Sequence, residues 1–235
     1  HDVDGALREL VAWPERCLFT LPDTFSDADG VMLEPLGVAL HACDLAHIRP
    51  GSSVGVFGCG PIGWLTIQVA LLLGAARVFA TELPSRPHRS AAAAALGATV
   101  FPADGGESLA IRRATAGRGL DVAIEAAGDN EAVDAAVDAV RPGARIVLTG
   151  IPPVERTSIV ASSARRKGLT VAWARRMKHT YPRAIDLVSR GLIDVRSGVT
   201  HTFPIDRAAE AFEAASRREG MKVIVLPGDT LPAGG

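Results

Sequence analysis

Three glycines at a fixed spacing, Gly58, Gly60 and Gly63, are the residues of this sequence best suited to a specific chemistry. They follow a short apolar segment and precede one with helical periodicity, which is the setting that makes the G-x-G-x-x-G pattern informative. The first glycine permits a tight turn, the second lets the backbone approach a pyrophosphate, and the third lets helix and strand pack closely. The pattern therefore predicts a dinucleotide site, with Pro61 suited to the first helical turn.

An acidic residue follows the glycines where a ribose contact is expected. A second apolar segment, 77–80, ends at Thr81 and Glu82. A carboxylate at such a strand end accepts hydrogen bonds from adenosine ribose hydroxyls. Its charge would repel a 2′-phosphate, so Glu82 favours NAD over NADP. The alternative is a tight turn in an unrelated βαβ unit with Glu82 solvated, but the order of strand, glycines, helix and acid favours the dinucleotide site.

Alternating strand and helix patterns surround these residues. Six short strands, most of them uncharged, are typical of a parallel sheet covered on both faces. The predicted fold class is therefore α/β, a doubly wound six-stranded Rossmann sheet of order 3-2-1-4-5-6 with the ligand at the carboxyl ends of the strands. The predicted strands cover 54–57, 77–80, 99–101, 121–125, 145–148 and 169–173.

The two ends of the chain do not extend this alternation. Two strands, 6–13 and 17–21, are predicted before a helix that Ser26 caps and that Pro35 would kink or split. A helix at 181–190, a strand at 199–203, a helix at 206–217 and a strand at 222–226 follow the sheet. We expect both ends to form part of one mainly β domain. The predicted division is 1–34 and 175–235 for that domain and 35–174 for the Rossmann domain.

Composition excludes several classes of partner. The 235 residues include 25 basic and 26 acidic side chains, giving a net charge of −1, so neither nucleic acid nor a membrane surface is expected as a partner. The longest apolar run, 65–73, is too short to span a bilayer. Three widely spaced cysteines argue against a disulfide framework and favour a reducing, cytoplasmic location.

The sequence resembles the zinc-dependent medium-chain dehydrogenases, and within them the sorbitol, xylitol and threonine dehydrogenase branch. The resemblance implies a GroES-like catalytic domain, NAD and zinc as cofactors, and an alcohol or polyol substrate. It also implies a homodimer or homotetramer, with the edge near 169–173 as a candidate for pairing between subunits. The matching stretches span nearly the whole chain: 33–36, 39–43, 58–63, 81–83, 125–128, 149–151, 175–176 and 200–204.

The resemblance assigns a cofactor-binding set that extends beyond the glycines. It adds a basic residue after the second strand, the turn after the fifth strand and the end of the sixth. The alternative for its two arginines is an exposed surface position. The implied set is Gly58, Gly60, Pro61, Ile62, Gly63, Glu82, Arg89, Thr149, Gly150, Ile151, Ala174 and Arg175.

Two further residues are implied to face the substrate. Glu34 belongs to a Glu-Pro motif that faces the catalytic zinc in the family, although a carboxylate on a helix is often merely solvated. Arg176 aligns with an arginine that helps to hold a polyol, and Met177 stands where sorbitol dehydrogenases often have tyrosine. The family's other zinc ligands and its structural zinc lobe precede residue 1. A catalytic zinc needs about three protein ligands, so Glu34 alone cannot hold it.

A local zinc site is the remaining alternative for the metal. Cys43, Asp44 and His47 lie within about one helical turn and are residue types that bind zinc. The resemblance places this helix against the core, where a free cysteine is usually just buried.

Three functions are compatible with these observations. The first is an NAD-dependent, zinc-type alcohol or polyol dehydrogenase seen without most of its catalytic domain, in which case this chain alone is inactive. The second is a non-catalytic NAD-binding module, a truncated remnant of such an enzyme. A zinc-free reductase of the quinone reductase type fits less well, because those enzymes usually prefer NADPH and lack the Glu-Pro motif.

Overall fold

The structure, a computed structural model, describes residues 5–8 and 10–227. Contacts divide the chain into one continuous unit, Glu34–Ala184, and one discontinuous unit made of the residues up to Leu33 and from Ile185 onward. The second boundary thus falls after residue 184, whereas the sequence analysis placed it after residue 174. The assignment of the two units to a Rossmann and a catalytic domain stays a prediction.

Six parallel strands form the sheet of the continuous unit in the order β3-β2-β1-β4-β5-β6, which confirms the predicted topology. Phe57, the last residue of β1, is in register with Thr81 of β2 and with Glu125 of β4. The carboxyl ends of the three central strands therefore lie side by side. The strands are β1 (Ser53–Phe57), β2 (Arg77–Glu82), β3 (Thr99–Pro102), β4 (Leu120–Glu125), β5 (Val140–Leu148) and β6 (Thr170–Trp173).

Helices connect the strands and pack on the sheet. The helix after β1 has eight consecutive buried residues, 63–70, which is typical of a helix that is apolar on every side. Among the described residues, no helix is both long and apolar enough to cross a membrane. The connecting helices are α2 (Pro61–Leu72), α3 (Pro87–Ala95), α4 (Glu107–Ala114), α5 (Asn130–Ala139) and α6 (Ala161–Lys167).

One hydrophobic core cluster of the continuous unit lies where α4 and α5 meet the sheet. Ile111 of α4 and Leu120 of β4 are completely buried there, and Ile146 of β5 completes the same cluster. Phe79 and Phe101 stack across β2 and β3 with ring centroids 6.3 Å apart. This packing gives the carboxyl-end loops a rigid base.

The long helix α1 (Asp27–Ala46) precedes the sheet and runs from one unit into the other. Ser26 caps it as predicted, because Ser26 Oγ accepts from the Asp29 N–H at 3.2 Å and Asp29 Oδ2 accepts from the Ser26 N–H at 2.8 Å. The helix contains Pro35 and is not split there. A proline removes only one backbone donor, which a helix of 20 residues tolerates.

The discontinuous unit contains a two-stranded parallel sheet, β7 (Val199–Pro204) and β8 (Lys222–Leu226). Helix α8 (Ala208–Arg217) packs on both strands, and α7 (Tyr181–Ser189) precedes them. An ion pair joins the two chain segments of this unit, because Arg196 Nε donates to Asp29 Oδ1 at 3.1 Å. This bond lowers the pKa of Asp29 to about 2.

The two strands predicted at 6–13 and 17–21 are wrong for the residues that the structure describes. The described residues before α1 contain a short 3-10 helix, Glu15–Cys17, and no strand. Apolar content alone does not make a strand, because a strand also needs a neighbour that takes up its backbone hydrogen bonds. Neither β7 nor β8 pairs with this segment.

Candidate functional site

The glycine loop sits between β1 and α2, at the carboxyl edge of the sheet. Gly58 has a φ of +101°, and a Cβ there would lie 2.9 Å from the Ala127 nitrogen. A Cβ on Gly63 would lie 1.8 Å from the Gly58 carbonyl oxygen. These two glycines are therefore required by the turn and by helix–strand packing.

Gly60 is different, because the protein itself leaves room for a side chain there. The nearest atom to a Cβ on Gly60 would be Nη1 of Arg89, at 3.5 Å, which is an ordinary contact. The glycine thus keeps a space open in front of the first turn of α2, where backbone N–H groups can bind an anion. A guanidinium group borders the same space. This cradle fits the pyrophosphate of a dinucleotide.

Glu82 ends β2 beside the glycine loop and is 5% exposed. Its carboxylate accepts from the backbone N–H of Cys59 at 3.0 Å and from that of Leu83 at 2.8 Å, and Arg86 lies 3.8 Å away. Burial, followed by the charge of Glu82, raises the pKa of the Cys59 thiol to about 12, against the opposing charge of Arg89. Glu82, Arg89 and the glycine loop, which the sequence analysis assigned to one cofactor site, therefore lie close together.

The turns after β4 and β5 pack directly on each other. Gly128 has a φ of +73°, and a Cβ there would lie 2.6 Å from the Ile151 carbonyl oxygen. A Cβ on Gly150 would lie 2.2 Å from the Gly128 nitrogen. Thr149 Oγ1 is buried and has no hydrogen-bond partner in the described part of the chain, whereas the Ile151 side chain is 91% exposed. A buried hydroxyl beside an exposed apolar side chain offers a ligand both a polar and an apolar contact.

Glu125 organises these turns, and the sequence analysis did not assign it a role. Its side chain is 2% exposed, and Oε1 accepts from the N–H groups of Ala127 at 2.7 Å and Gly128 at 2.6 Å. Its carbonyl oxygen accepts from Thr149 at 2.8 Å and Gly150 at 3.1 Å. Burial raises the pKa of Glu125, and the backbone donors oppose this effect. A lone acid at the end of an apolar strand and before Ala-Ala-Gly is the signal that could have revealed it.

The residues predicted at the sixth strand lie in an exposed loop. Ala174 continues the sheet register by donating its N–H to the Leu148 carbonyl at 2.9 Å, and Arg175 and Arg176 are exposed. Arg176 has a φ of +53°, which is uncommon outside glycine. Met177 is buried, and a Cβ on Gly37 of α1 would lie 2.8 Å from it. Met177 therefore packs inward, while the neighbouring arginines remain available.

Glu34 lies on an exposed position of α1. Tyr181 is close enough for the charge of Glu34 to add to the effect of burial, which is the larger cause, in raising the pKa of the phenol. Among the residues that the structure describes, no three His, Cys, Asp or Glu side chains are grouped as a metal site. The donors present do not fit a catalytic zinc by themselves.

The alternative zinc group near the end of α1 is not assembled. Cys43 is fully buried, and burial raises the pKa of its thiol strongly. Asp44 is exposed and forms a bidentate ion pair with Arg183, whose Nη1 and Nη2 donate to Oδ1 and Oδ2 at 3.0 and 2.6 Å. His47 follows the helix with a φ of +53°. The three side chains therefore do not converge on one point.

Comparison with known proteins gives a consistent assignment. Residues 61–190 match the family model described as zinc-binding dehydrogenase. A sorbitol dehydrogenase of Gallus gallus is 32% identical over 224 residues, which cover 94% of this chain and 63% of that protein. The chain thus spans less than two thirds of the length of this relative.

Two solved structures share the fold and differ in the cofactor that they hold. A candidate zinc-binding dehydrogenase of Sinorhizobium meliloti 1021, bound to NADP, is 28% identical with a TM-score of 0.79, covering 89% of this chain and 62% of that one. An alcohol dehydrogenase of E. coli CFT073 in complex with NADH is 26% identical with a TM-score of 0.79, covering 90% and 62%. The cofactor preference of this chain must therefore be argued from its own residues.

Proposed function

Because this chain belongs to the zinc-binding dehydrogenase family, we propose that it binds NAD as the cofactor half of an alcohol or polyol dehydrogenase. The observation that carries the proposal is the open space at Gly60, bordered by the Arg89 guanidinium at 3.5 Å. An anion in this space would meet both a helix N-terminus and a cation. The buried Thr149 hydroxyl offers a further polar contact at the next turns along the sheet.

Glu82 supports NAD rather than NADP. Its buried carboxylate lies at the end of β2, where an acid can accept from the ribose hydroxyls and disfavours a 2′-phosphate. Arg86 and Arg89 are near enough to bind a phosphate, so the balance between these charges decides the preference. The carboxylate is fixed by two backbone donors and therefore cannot turn away from the ribose position without losing them.

The proposed reaction is hydride transfer between NAD and an alcohol or polyol. When bound, zinc supplies a Lewis acid that makes an alcohol easier to deprotonate. We propose that its other ligands come from the catalytic segment that the family places before this region, with Glu34 beside the metal. Glu34 and the exposed Arg176 would then hold the substrate, and the relationship to a sorbitol dehydrogenase favours a polyol.

The proposal extends to assembly and location. Among the described residues no strand pairs with the outer edge of β6, and Trp173 on this strand is 63% exposed. Such an edge favours a homodimer or homotetramer through pairing with a second copy. Three free cysteines favour a reducing, cytoplasmic compartment.

Calorimetric titration of the purified chain with NADH tests the cofactor assignment. The unaltered protein should bind NADH, and Gly60→Val should abolish binding while the circular dichroism spectrum is unchanged, because the valine would fill the pyrophosphate space. Gly5→Val is the matched control, since no atom of the described residues lies within 4 Å of a Cβ at Gly5. Unchanged NADH affinity in a folded Gly60→Val protein would refute the assignment.

A non-catalytic NAD-binding module is the second candidate, favoured by the absence of a three-ligand metal group among the described residues. The two candidates differ in one measurement. Both predict NADH binding, but only the dehydrogenase predicts alcohol-dependent NADH formation once the protein includes the family's upstream catalytic segment.

A further inference from the structure

A second concave site lies at the end of the sheet opposite the glycine loop. A cavity of 480 Å³ opens beside Ser52, which precedes β1, and beside Asp121 and Val122 at the start of β4. Its volume is in the range of small-molecule pockets. We call it the basic cavity, because its wall carries Arg49, Arg118, Arg141 and Arg145.

The Asp121 carboxylate in the basic cavity accepts several hydrogen bonds from neighbouring side chains and backbone. Asp121 accepts from Arg118 Nη2 at 2.6 Å, from Arg141 Nε at 2.8 Å, and from both the backbone N–H and the hydroxyl of Ser53 at 2.9 Å. These bonds, with that from Arg118 as the largest cause, hold the pKa of Asp121 far below its usual range. The Asp121 carboxylate thus holds the guanidinium groups of Arg118 and Arg141 in place. The three side chains together still carry a net positive charge.

Two further arginines in the wall have no such partner. Within the described part of the chain, the side chains of Arg49 and Arg145 form no hydrogen bond or ion pair. Arg145 is half-buried at the wall, so part of its hydration is already lost. The wall carries four arginines and one carboxylate, whereas the net charge of the whole chain is only −1. The basic cavity therefore concentrates positive charge that no described residue neutralises.

We propose that the basic cavity binds a small anion carrying a phosphate group. Guanidinium groups match phosphate oxygens with paired, charge-assisted hydrogen bonds. Arg49 and Arg145 supply the free donors, and the Asp121 network holds Arg118 and Arg141 in place as a fixed positive wall. The anion is either free phosphate or the phosphate of an organic ester, and the two are separated by titrating both.

This site is separate from the nucleotide site. The glycine loop follows the carboxyl end of β1, whereas Ser52 precedes its amino end, so the length of the strand lies between them. A strand rises about 3.3 Å per residue, and β1 has 5 residues. One small anion cannot contact both sites, and the proposal does not depend on the cofactor assignment.

Calorimetric titration at low salt tests the proposal with inorganic phosphate, pyrophosphate and a hexose phosphate as probes. Low ionic strength is chosen because salt screens exposed charges. Arg145→Gln should weaken binding of the best probe about tenfold, as expected for one charge-assisted contact. The Arg49→Gln, Arg145→Gln double variant should reduce it below detection. Arg166→Gln, which removes the same charge from an exposed position of α6, should bind as the unaltered protein does.

A repeat titration in the Gly60→Val background separates the two anion sites. Binding that survives Gly60→Val and is lost in Arg145→Gln supports the basic cavity. Three results would overturn it: no binding of any probe, equal binding by Arg145→Gln and Arg166→Gln, or binding lost only with Gly60→Val. Thermal melting of each variant establishes that a loss of binding is not a loss of fold.

Discussion

At the scale of single residues, Glu125 connects the turns after β4 and β5 of the candidate site. Its side chain and carbonyl together accept four backbone N–H groups from the turns after β4 and β5. The carbonyl accepts from Thr149 and Gly150, whereas the carboxylate accepts from Ala127 and Gly128. Gly128 packs directly on Gly150 and Ile151, which we propose to contact NAD. The Glu125 side chain therefore acts as a positioning residue through the turn after β4.

Replacing Glu125 by alanine should weaken NADH binding about tenfold, which corresponds to about 1.4 kcal/mol of lost loop positioning. It should also destabilise the fold by about 1–3 kcal/mol, because the buried N–H of Gly128 and the part-buried N–H of Ala127 lose their acceptor. Glu125→Gln keeps an oxygen at Oε1 and should bind NADH normally. Denaturant unfolding and NADH titration of both variants provide the check, and equal effects from alanine and glutamine would contradict this role.

The raised pKa of Glu125 gives the same pair of proteins a pH signature. A raised pKa means that the folded state favours the protonated form of Glu125. The protonated carboxyl therefore stabilises the fold fully below the ordinary pKa of 4.5. This stabilisation is lost as the pH rises through the folded-state pKa. The unfolding free energy of the unaltered protein, minus that of Glu125→Gln, should therefore fall as the pH rises above 4.5. A difference that stays constant with pH would show that Glu125 titrates normally.

Glu82→Gln should narrow the difference in affinity between NADH and NADPH. The N–H groups of Cys59 and Leu83 donate to different carboxylate oxygens, so the amide oxygen keeps one of these two hydrogen bonds. The substitution also removes the charge that opposes a 2′-phosphate. Parallel titrations with the two cofactors measure the change, with Glu131→Gln on exposed α5 surface as the control for charge. Equal affinity of the unaltered protein for both cofactors would rule out Glu82 as the discriminator.

At the scale of elements, α5 is fixed at both ends by side chains. Asp129 accepts from the Glu131 N–H at 3.0 Å at its start. Lys167, from the end of α6, donates to the carbonyls of Val137, Asp138 and Val140 at 2.7 to 2.9 Å at its end. A cation at a helix C-terminus satisfies free carbonyls and opposes the helix dipole.

Lys167→Met should therefore destabilise the protein by about 1.5–3 kcal/mol, the value typical of hydrogen bonds to charged groups. Methionine retains most of the aliphatic length, so the change isolates the ammonium group. Arg166→Met, at the exposed neighbouring position, is the control and should be close to neutral. Urea unfolding of the two variants compares them, and equal midpoints would show that the cap contributes nothing.

The elements also show which parts of a structure local sequence can predict. The glycine pattern and the six apolar strands separated by helices were enough to predict the sheet order. Parallel strands that are joined by a helix are connected by right-handed crossovers, which restricts the possible orders. The segments 6–13 and 17–21 have the same apolar character but no described strand beside them. The role of Glu125 was missed for the related reason that its partners are backbone groups, which no residue type reveals.

At the scale of the whole molecule, the described residues provide a candidate cofactor site and no group of three metal ligands. We expect this chain alone to oxidise no alcohol at a useful rate, even with added zinc, because three ligands cannot be gathered around Glu34. The test is NADH absorbance with a panel of polyols and the purified chain. Turnover that a chelator abolishes would reveal a zinc site built from residues not recognised above.

The division of the chain has a consequence for its biosynthesis. The continuous unit occupies residues 34–184, whereas the other unit needs partners from both ends, as Asp29 and Arg196 illustrate. On the ribosome, the first segment therefore emerges well before its partners exist. At about 5–20 residues per second, it must wait roughly 8 to 30 s while the continuous unit is made. Leu10, Leu18 and Phe19 are exposed on this segment in the structure, so the waiting segment is a natural binding site for a chaperone that recognises apolar side chains.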